Sequence, residues 1–223
     1  VGGDRVGDAN QTTVALTSRF NDMATGVETA RFSLGQVFYH EDREVTLNGR
    51  GGGTEVDSPY AGEMVLRPLD TLDIRVSGLW DPREKQTEEG RSVLAYHTPD
   101  YRYLVSMGHT YSRGTNPNNR FEQMDVGGIV PITDNISLIG RWVFDSQLDE
   151  TVGTLAGLEY NNCCWSFQLV QQRYLTDDEE VDHRVVFQIQ LKGLGGSGGT
   201  ENTLSDAFYG YEERERRRFG ARP

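Results

Sequence analysis

The stretch Leu72-Asp73-Ile74-Arg75-Val76-Ser77-Gly78-Leu79-Trp80 decides how this chain folds. Leu72, Ile74, Val76, Gly78 and Trp80 fall at every second position, with Asp73, Arg75 and Ser77 between them. Side chains alternate across a β-strand, so this spacing gives a strand with one dry and one wet face. The pattern returns in residues 136–145, where Ile136, Leu138, Gly140, Trp142 and Phe144 oppose Ser137, Arg141 and Asp145. Trp165, Phe167 and Leu169 oppose Ser166 and Gln168, and Val185, Phe187, Ile189 and Leu191 oppose Gln188, Gln190 and Lys192. Weaker alternation at 13–20, 30–40, 60–68, 92–97, 101–111, 121–132 and 151–160 brings the expectation to about eleven strands. At about ten residues each, they exceed the usual strands of globular sheets and match those that cross a bilayer at a tilt.

Composition narrows the class. The chain has 223 residues, a net charge of −12, 36% hydrophobic residues and a mean hydropathy of −0.58. A helical span needs about 20 consecutive apolar residues, and no such run exists, so a helical membrane protein is excluded. A non-folding chain is excluded by 10% aromatic residues and many β-branched ones. With 26 glycines, what remains is a polar all-β domain or a membrane β-barrel, which hydropathy alone does not separate because alternating strands average out.

The connections favour the barrel. Pro68-Leu69-Asp70-Thr71, Thr98-Pro99-Asp100, Thr133-Asp134-Asn135 and Asn161-Asn162 read as tight turns, with Pro, Asp and Asn where turn geometry wants them. The alternate connections, at 41–59, 81–90, 112–119 and 176–182, read as longer loops. Outer-membrane barrels have this asymmetry, with short periplasmic turns and long outer loops, and the parity puts the Asn161-Asn162 turn on the periplasmic side. Trp80, Trp142, Phe144, Tyr160 and Trp165 fall toward strand ends, as girdle residues do. The fold class expected is therefore all-β, an antiparallel transmembrane β-barrel segment over residues 1–194.

The two ends read differently. Val1-Gly2-Gly3-Asp4 has no initiating Met, basic region or apolar leader, as expected of part of a longer chain. Residues 195–223 read as a glycine-rich linker followed by a polar, charged tail ending in Glu212-Glu213-Arg214-Glu215-Arg216-Arg217-Arg218, a short helix or a solvated face. The tail is charge-balanced, so the body carries the whole −12; no nucleic-acid partner is expected.

Cys163 and Cys164 are the only cysteines, and they are adjacent. In an extended strand they point to opposite faces and are badly placed to bond each other. Pairing with cysteines of another segment, two buried thiols, and metal ligation stay open as readings.

The run Leu155-Ala156-Gly157-Leu158-Glu159-Tyr160-Asn161-Asn162-Cys163-Cys164-Trp165 resembles the signature near the C-terminus of the LptD family of LPS-assembly proteins. Asp4-Arg5-Val6-Gly7-Asp8-Ala9-Asn10-Gln11 with Leu16-Thr17-Ser18-Arg19, and Gln123-Met124-Asp125-Val126 with Pro131-Ile132-Thr133, are similar to the same family. The resemblance covers residues 1–194 and implies the C-terminal part of a larger, 26-stranded outer-membrane barrel of a Gram-negative bacterium that inserts lipopolysaccharide. It implies disulfides from Cys163 and Cys164 to two cysteines of an N-terminal periplasmic region, and a polar lumen lined here by Asp73, Arg75, Arg141, Asp145, Gln168, Gln188 and Gln190. It implies a lateral gate whose last strand, at 181–194, carries Val185, Phe187, Ile189 and Leu191. The implied partners are lipopolysaccharide, the plug lipoprotein LptE inside the barrel, the periplasmic bridge protein LptA through the N-terminal domain, outer-membrane lipids and the barrel-assembly machinery. No cofactor or metal is implied, and the task needs no catalysis.

Three other classes are distinguishable. A passive porin-like channel shares the strand pattern but needs neither paired cysteines nor a gate. A soluble sugar-binding β-sandwich would stay in solution without detergent. An outer-membrane hydrolase would draw on His40 with Glu41 and Asp42, His97, His109 with Ser112, or His183 with Asp182, and none of these sets a nucleophile, base and orienting acid at a recognisable spacing.

Overall fold

A computed structural model describes residues 10–42, 54–114, 120–175, 181–191, 195–198 and 200–219. Eleven long strands follow in chain order: β1 (Gln11–Asn21), β2 (Glu28–Tyr39), β3 (Tyr60–Leu69), β4 (Leu72–Asp81), β5 (Gln86–His97), β6 (Leu104–Ser112), β7 (Phe121–Pro131), β8 (Ile136–Asp145), β9 (Glu150–Asn161), β10 (Trp165–Leu175) and β11 (Val181–Leu191). A four-residue β12 (Gly195–Gly198) and two helices, α1 (Thr200–Ala207) and α2 (Tyr211–Phe219), follow. Each strand pairs with its neighbour in sequence, giving one sheet in the order β1 to β12. No described helix is long and apolar enough to cross a membrane.

The chain divides into two compact units. The first holds residues 1–66, 75–92 and 110–122, and the second 67–74, 93–109 and 123–223. In the first, β1 and β2 form a hairpin closed by Asp22, whose carboxylate accepts from the Ala24 and Thr25 amides and the Thr25 hydroxyl. Those three donors hold the Asp22 carboxyl below the usual range, the Thr25 amide first. One face of the hairpin carries Leu16 opposite Leu34, and Phe20 edge-on to Phe32 at 6.1 Å.

The second unit holds the turns at 70–71, 98–103, 132–135 and 162–164, together with both helices. Register makes its two faces explicit. Val130, Leu138, Leu158, Leu169 and Phe187 form one cross-strand row from β7 to β11, every member at least 40% exposed. On the other face Ile129, Ile139, Gly157, Val170 and Val186 form the next row, and Ser137, Glu159, Gln168 and Gln188 the row beyond. Here Leu104, Ile129, Ile139, Leu155 and Val170 are buried by Leu204, Ala207, Phe208 and Tyr211 of the helical segment, and this is the unit's core.

Two glycines permit that packing. A Cβ on Gly127 would lie 2.9 Å from a ring carbon of Phe208 and 2.9 Å from the Gly140 carbonyl, so only glycine lets the aromatic ring reach the sheet. Gly210 turns the chain from α1 into α2 at φ +86°, a conformation that L side chains rarely adopt.

Three sequence expectations change. The loop expected at 81–90 shrinks to residues 82–85, because Asp81 accepts the amides of Arg83 and Glu84 and lets β5 begin at Gln86. The glycine-rich segment read as a linker includes β12, which pairs with Gln188 to Leu191 of β11. The charged run read as a short helix or solvated face lies in α2, where Arg216 and Arg217 are exposed but Arg214 and Glu215 are buried. The loops expected at 41–59, 112–119 and 176–182 fall largely outside the described residues, as does the run Asp4 to Ala9.

Candidate functional site

The β9–β10 hairpin brings together the most distinctive residues. Asn162 closes its tip by donating its amide to the Trp165 carbonyl and accepting the Cys163 amide on its side chain. Cys163 and Cys164 therefore sit in the bend between the strands and not within a strand, and both are exposed and outside any disulfide. This corrects the strand placement: with the tip closed by Asn162, both sulfurs lie where a second chain segment can reach them. The tip end of β9 is tied to the neighbouring turn, where the Asn135 carbonyl accepts the Asn161 amide and the Asn135 side chain donates to the Asn161 carbonyl, each at 2.7 Å. Tyr160 and Trp165 flank the tip with ring centroids 5.1 Å apart. Trp80, Phe144 and Tyr160 fall one residue inside strand ends and Trp165 begins β10, whereas Trp142 lies deeper in β8.

Behind the tip lies the most buried polar group of the unit. Arg214 of α2 grips Glu159 with both terminal nitrogens, at 2.7 and 2.8 Å, and neither side chain is exposed. A third Arg214 bond reaches Glu215 at 3.1 Å. Gln168, directly across from Glu159, donates to its carboxylate and also to the Tyr211 hydroxyl, each at 2.9 Å. A bidentate guanidinium–carboxylate pair offsets its desolvation only when complete; removing one partner leaves a buried charge, at a cost of about 3–5 kcal/mol. Burial pushes the Tyr211 hydroxyl well above the ordinary tyrosine value, with the Glu215 charge adding to it.

A further cluster joins α2 to the strands. Asp73 accepts from Arg67 Nε at 2.9 Å and from the Tyr209 hydroxyl at 3.4 Å, and lies 3.6 Å from His97 Nε2. His97 stacks on Tyr101 at 3.9 Å, and Arg217 covers the other ring at 4.7 Å while donating to the Pro99 carbonyl. His97 is thus engaged by a carboxylate, a backbone carbonyl and a phenol ring. His40 contacts Thr12, and the His183 amide donates to Asp182, which also accepts from Tyr174.

The other predicted positions divide cleanly by strand. Asp73 and Arg75 share one side of β4, Arg141 and Asp145 one side of β8, and Gln188 and Gln190 one side of β11. Of these and Gln168, all but Arg75 and Arg141 are buried. Arg141 pairs with Asp125 at 3.4 Å, and Gln123 donates to Asp145 at 3.2 Å. Val185, Phe187, Ile189 and Leu191 lie on the opposite side of β11, 46–64% exposed. Of the strand expected over 181–194, residues 181–191 form β11 and 192–194 lie outside the described residues; β12 pairs with Gln188 to Leu191. Sequence reading missed Glu159, Tyr211 and Arg214 as a group. One signal existed: Leu204, Ala207, Phe208 and Tyr211 follow the i, i+3, i+4, i+7 spacing of a buried helix face.

Comparison with known proteins gives a consistent result. Residues 1–142 match the family described as LptD: LPS transport system D. Over 98% of its length the chain is 65% identical to the LPS-assembly protein LptD of Marinobacter nauticus. It is 47% identical to that of Hahella chejuensis over 96% of its length, and 35% identical to that of Saccharophagus degradans over 97%. In each case the chain spans 27% of the relative's length.

Proposed function

Because this chain belongs to the LptD family, we propose that it is one section of the wall of an outer-membrane barrel that inserts lipopolysaccharide into the outer leaflet. The observation that carries the reading is the two-faced build of the strands. The row Val130, Leu138, Leu158, Leu169 and Phe187 offers lipid tails a continuous apolar surface, which water would not tolerate at this extent. Asp73, Arg75, Arg141, Asp145, Gln168, Gln188 and Gln190 lie on the lumen side; Arg75 and Arg141 stay partly open there, where hydroxyl-rich sugars replace water hydrogen bonds, and the other five are buried. The acyl chains leave sideways past β11, whose Val185, Phe187, Ile189 and Leu191 already face the apolar side. Transport of this kind needs positioning and hydration rather than bond making.

In this reading Cys163 and Cys164 bond two cysteines of an N-terminal periplasmic region and hold it against the barrel. The lipoprotein LptE fills the barrel, LptA delivers lipopolysaccharide through the N-terminal region, and the barrel-assembly machinery folds the whole in the outer membrane. The test is the full-length protein carrying Cys163→Ser and Cys164→Ser. A non-reducing gel should lose the disulfide-bonded form, and lipopolysaccharide at the cell surface should fall sharply. Reduced thiols in unmutated protein that exports normally would refute the reading.

A further inference from the structure

We propose that α2 is a clamp that positions the cysteine tip, with Glu159, Gln168, Tyr211 and Arg214 as its positioning residues. The inference rests on the reading that Cys163 and Cys164 pair with another segment. Glu159 and Gln168 face each other across the hairpin, and only two further pairs, Tyr160 with Phe167 and Asn161 with Ser166, separate them from the tip. At the rise of a strand, that is about 10 Å from Asn162 and Trp165. Arg214 and Tyr211, one helical turn apart on α2, each hold one member of the pair, so both strands are gripped from the same side. Asn135 fixes Asn161, the last residue of β9 before the tip, from the neighbouring turn. The result is a hairpin held rigidly behind an exposed bend that carries two thiols.

That arrangement has a chemical use. A disulfide forms only when sulfur, β-carbon and backbone geometry agree within narrow limits. Two adjacent cysteines must meet two separate partners, so a tip that wanders would pair each thiol with either one. Fixing the strands behind the tip removes that freedom before the partners arrive, and preorganisation of this kind raises the rate and selectivity of the encounter. The buried ion pair suits the task because its geometry is all-or-none: a bidentate fork tolerates little rotation of the helix over the strands.

The experiment uses the full-length protein in cells, following disulfide formation after a pulse of synthesis on non-reducing gels and scoring barrel folding by heat-modifiable mobility. Arg214→Met should slow formation of the native disulfides about tenfold among folded barrels and raise mispaired forms. Arg216→Met, on the exposed side of the same helix, should oxidise at the wild-type rate. Folded Arg214→Met barrels that oxidise like wild type would overturn the clamp. Should Arg214→Met fail to fold, Tyr211→Phe decides: it deletes only the hydroxyl that meets Gln168 and should slow oxidation about threefold, and a wild-type rate there overturns the proposal. Helix loss that merely destabilised the barrel would lower the folded fraction without changing oxidation of the molecules that fold. Reduced cysteines in the unmutated protein would instead show that the disulfide reading itself fails, and the clamp with it.

Discussion

The hairpin β1–β2 and the strands β6 to β10 have similar apolar faces and very different opposite faces. In β1–β2 the second face pairs Ala15 with Gly35, Thr17 with Ser33 and Arg19 with Arg31, small or charged groups that water can cover. In β6 to β10 the second face mixes a polar row with Leu104, Ile129, Ile139, Leu155 and Val170, which are nearly inaccessible under the helical segment. The same alternation therefore serves two ends. Where the second face is wet throughout, the strand needs nothing beyond solvent; where it carries large apolar groups, the chain must bring its own cover, and here it does so with residues 200–219.

That contrast breaks most visibly at Phe208. Phe208→Ala removes the ring that fills the space above Gly127 and should cost about 3–5 kcal/mol of helix docking, read as hydrogen exchange across 200–219 rising toward the unprotected limit. Exchange in β1–β2 should not change. Filling the gap from the other side has a smaller effect: Gly127→Ala forces the ring or the Gly140 carbonyl to move and should cost about 1–3 kcal/mol by the same measurement.

Alkali offers a third test. Tyr211 has its folded-state value raised above the ordinary 10, so its contribution is complete below pH 10. Above that, the undocked helix ionises first and docking loses about 1.4 kcal/mol per pH unit until the folded value is reached. Proteolysis of the tail should therefore accelerate as pH rises past 10, and Tyr211→Phe should remove that part of the pH dependence. The smallest effect sharpens the other side of the contrast. Thr17→Ala deletes an exposed hydroxyl contact with Ser33 at 3.2 Å and should change stability by less than about 0.5 kcal/mol in thermal unfolding.

The strands were legible because period two is written in the residues themselves: Asp73 and Arg75 between Leu72, Ile74 and Val76 leave one way to bury the apolar set. The position of Cys163 and Cys164 was legible only to within a few residues. Adjacent cysteines suit an extended strand as well as a bend, and what settles the tip is the Asn162 side chain accepting the next amide. The tail was harder still. Glu212 to Arg218 looks solvated because its charges alternate, and nothing local marks Arg214 as different from Arg216. The difference is Glu159, 55 residues earlier, which only the folded sheet places against the helix. Short helices of eight and nine residues also carry too little intrinsic stability to announce themselves apart from the surface they cover.

In the proposed barrel wall the two faces of these strands meet different solvents, lipid on one side and water on the other. Val76 and Ser77 are neighbours on β4 with opposite orientation, which makes them the sharpest pair to compare. A bimane label should be attached in turn at Val76→Cys and Ser77→Cys of the full-length protein reconstituted in bilayers. The label at 76 should be quenched by brominated lipid chains and spared by iodide, and the label at 77 should show the reverse. Equal quenching of both positions by iodide, with no effect of the brominated lipid, would contradict the barrel-wall assignment.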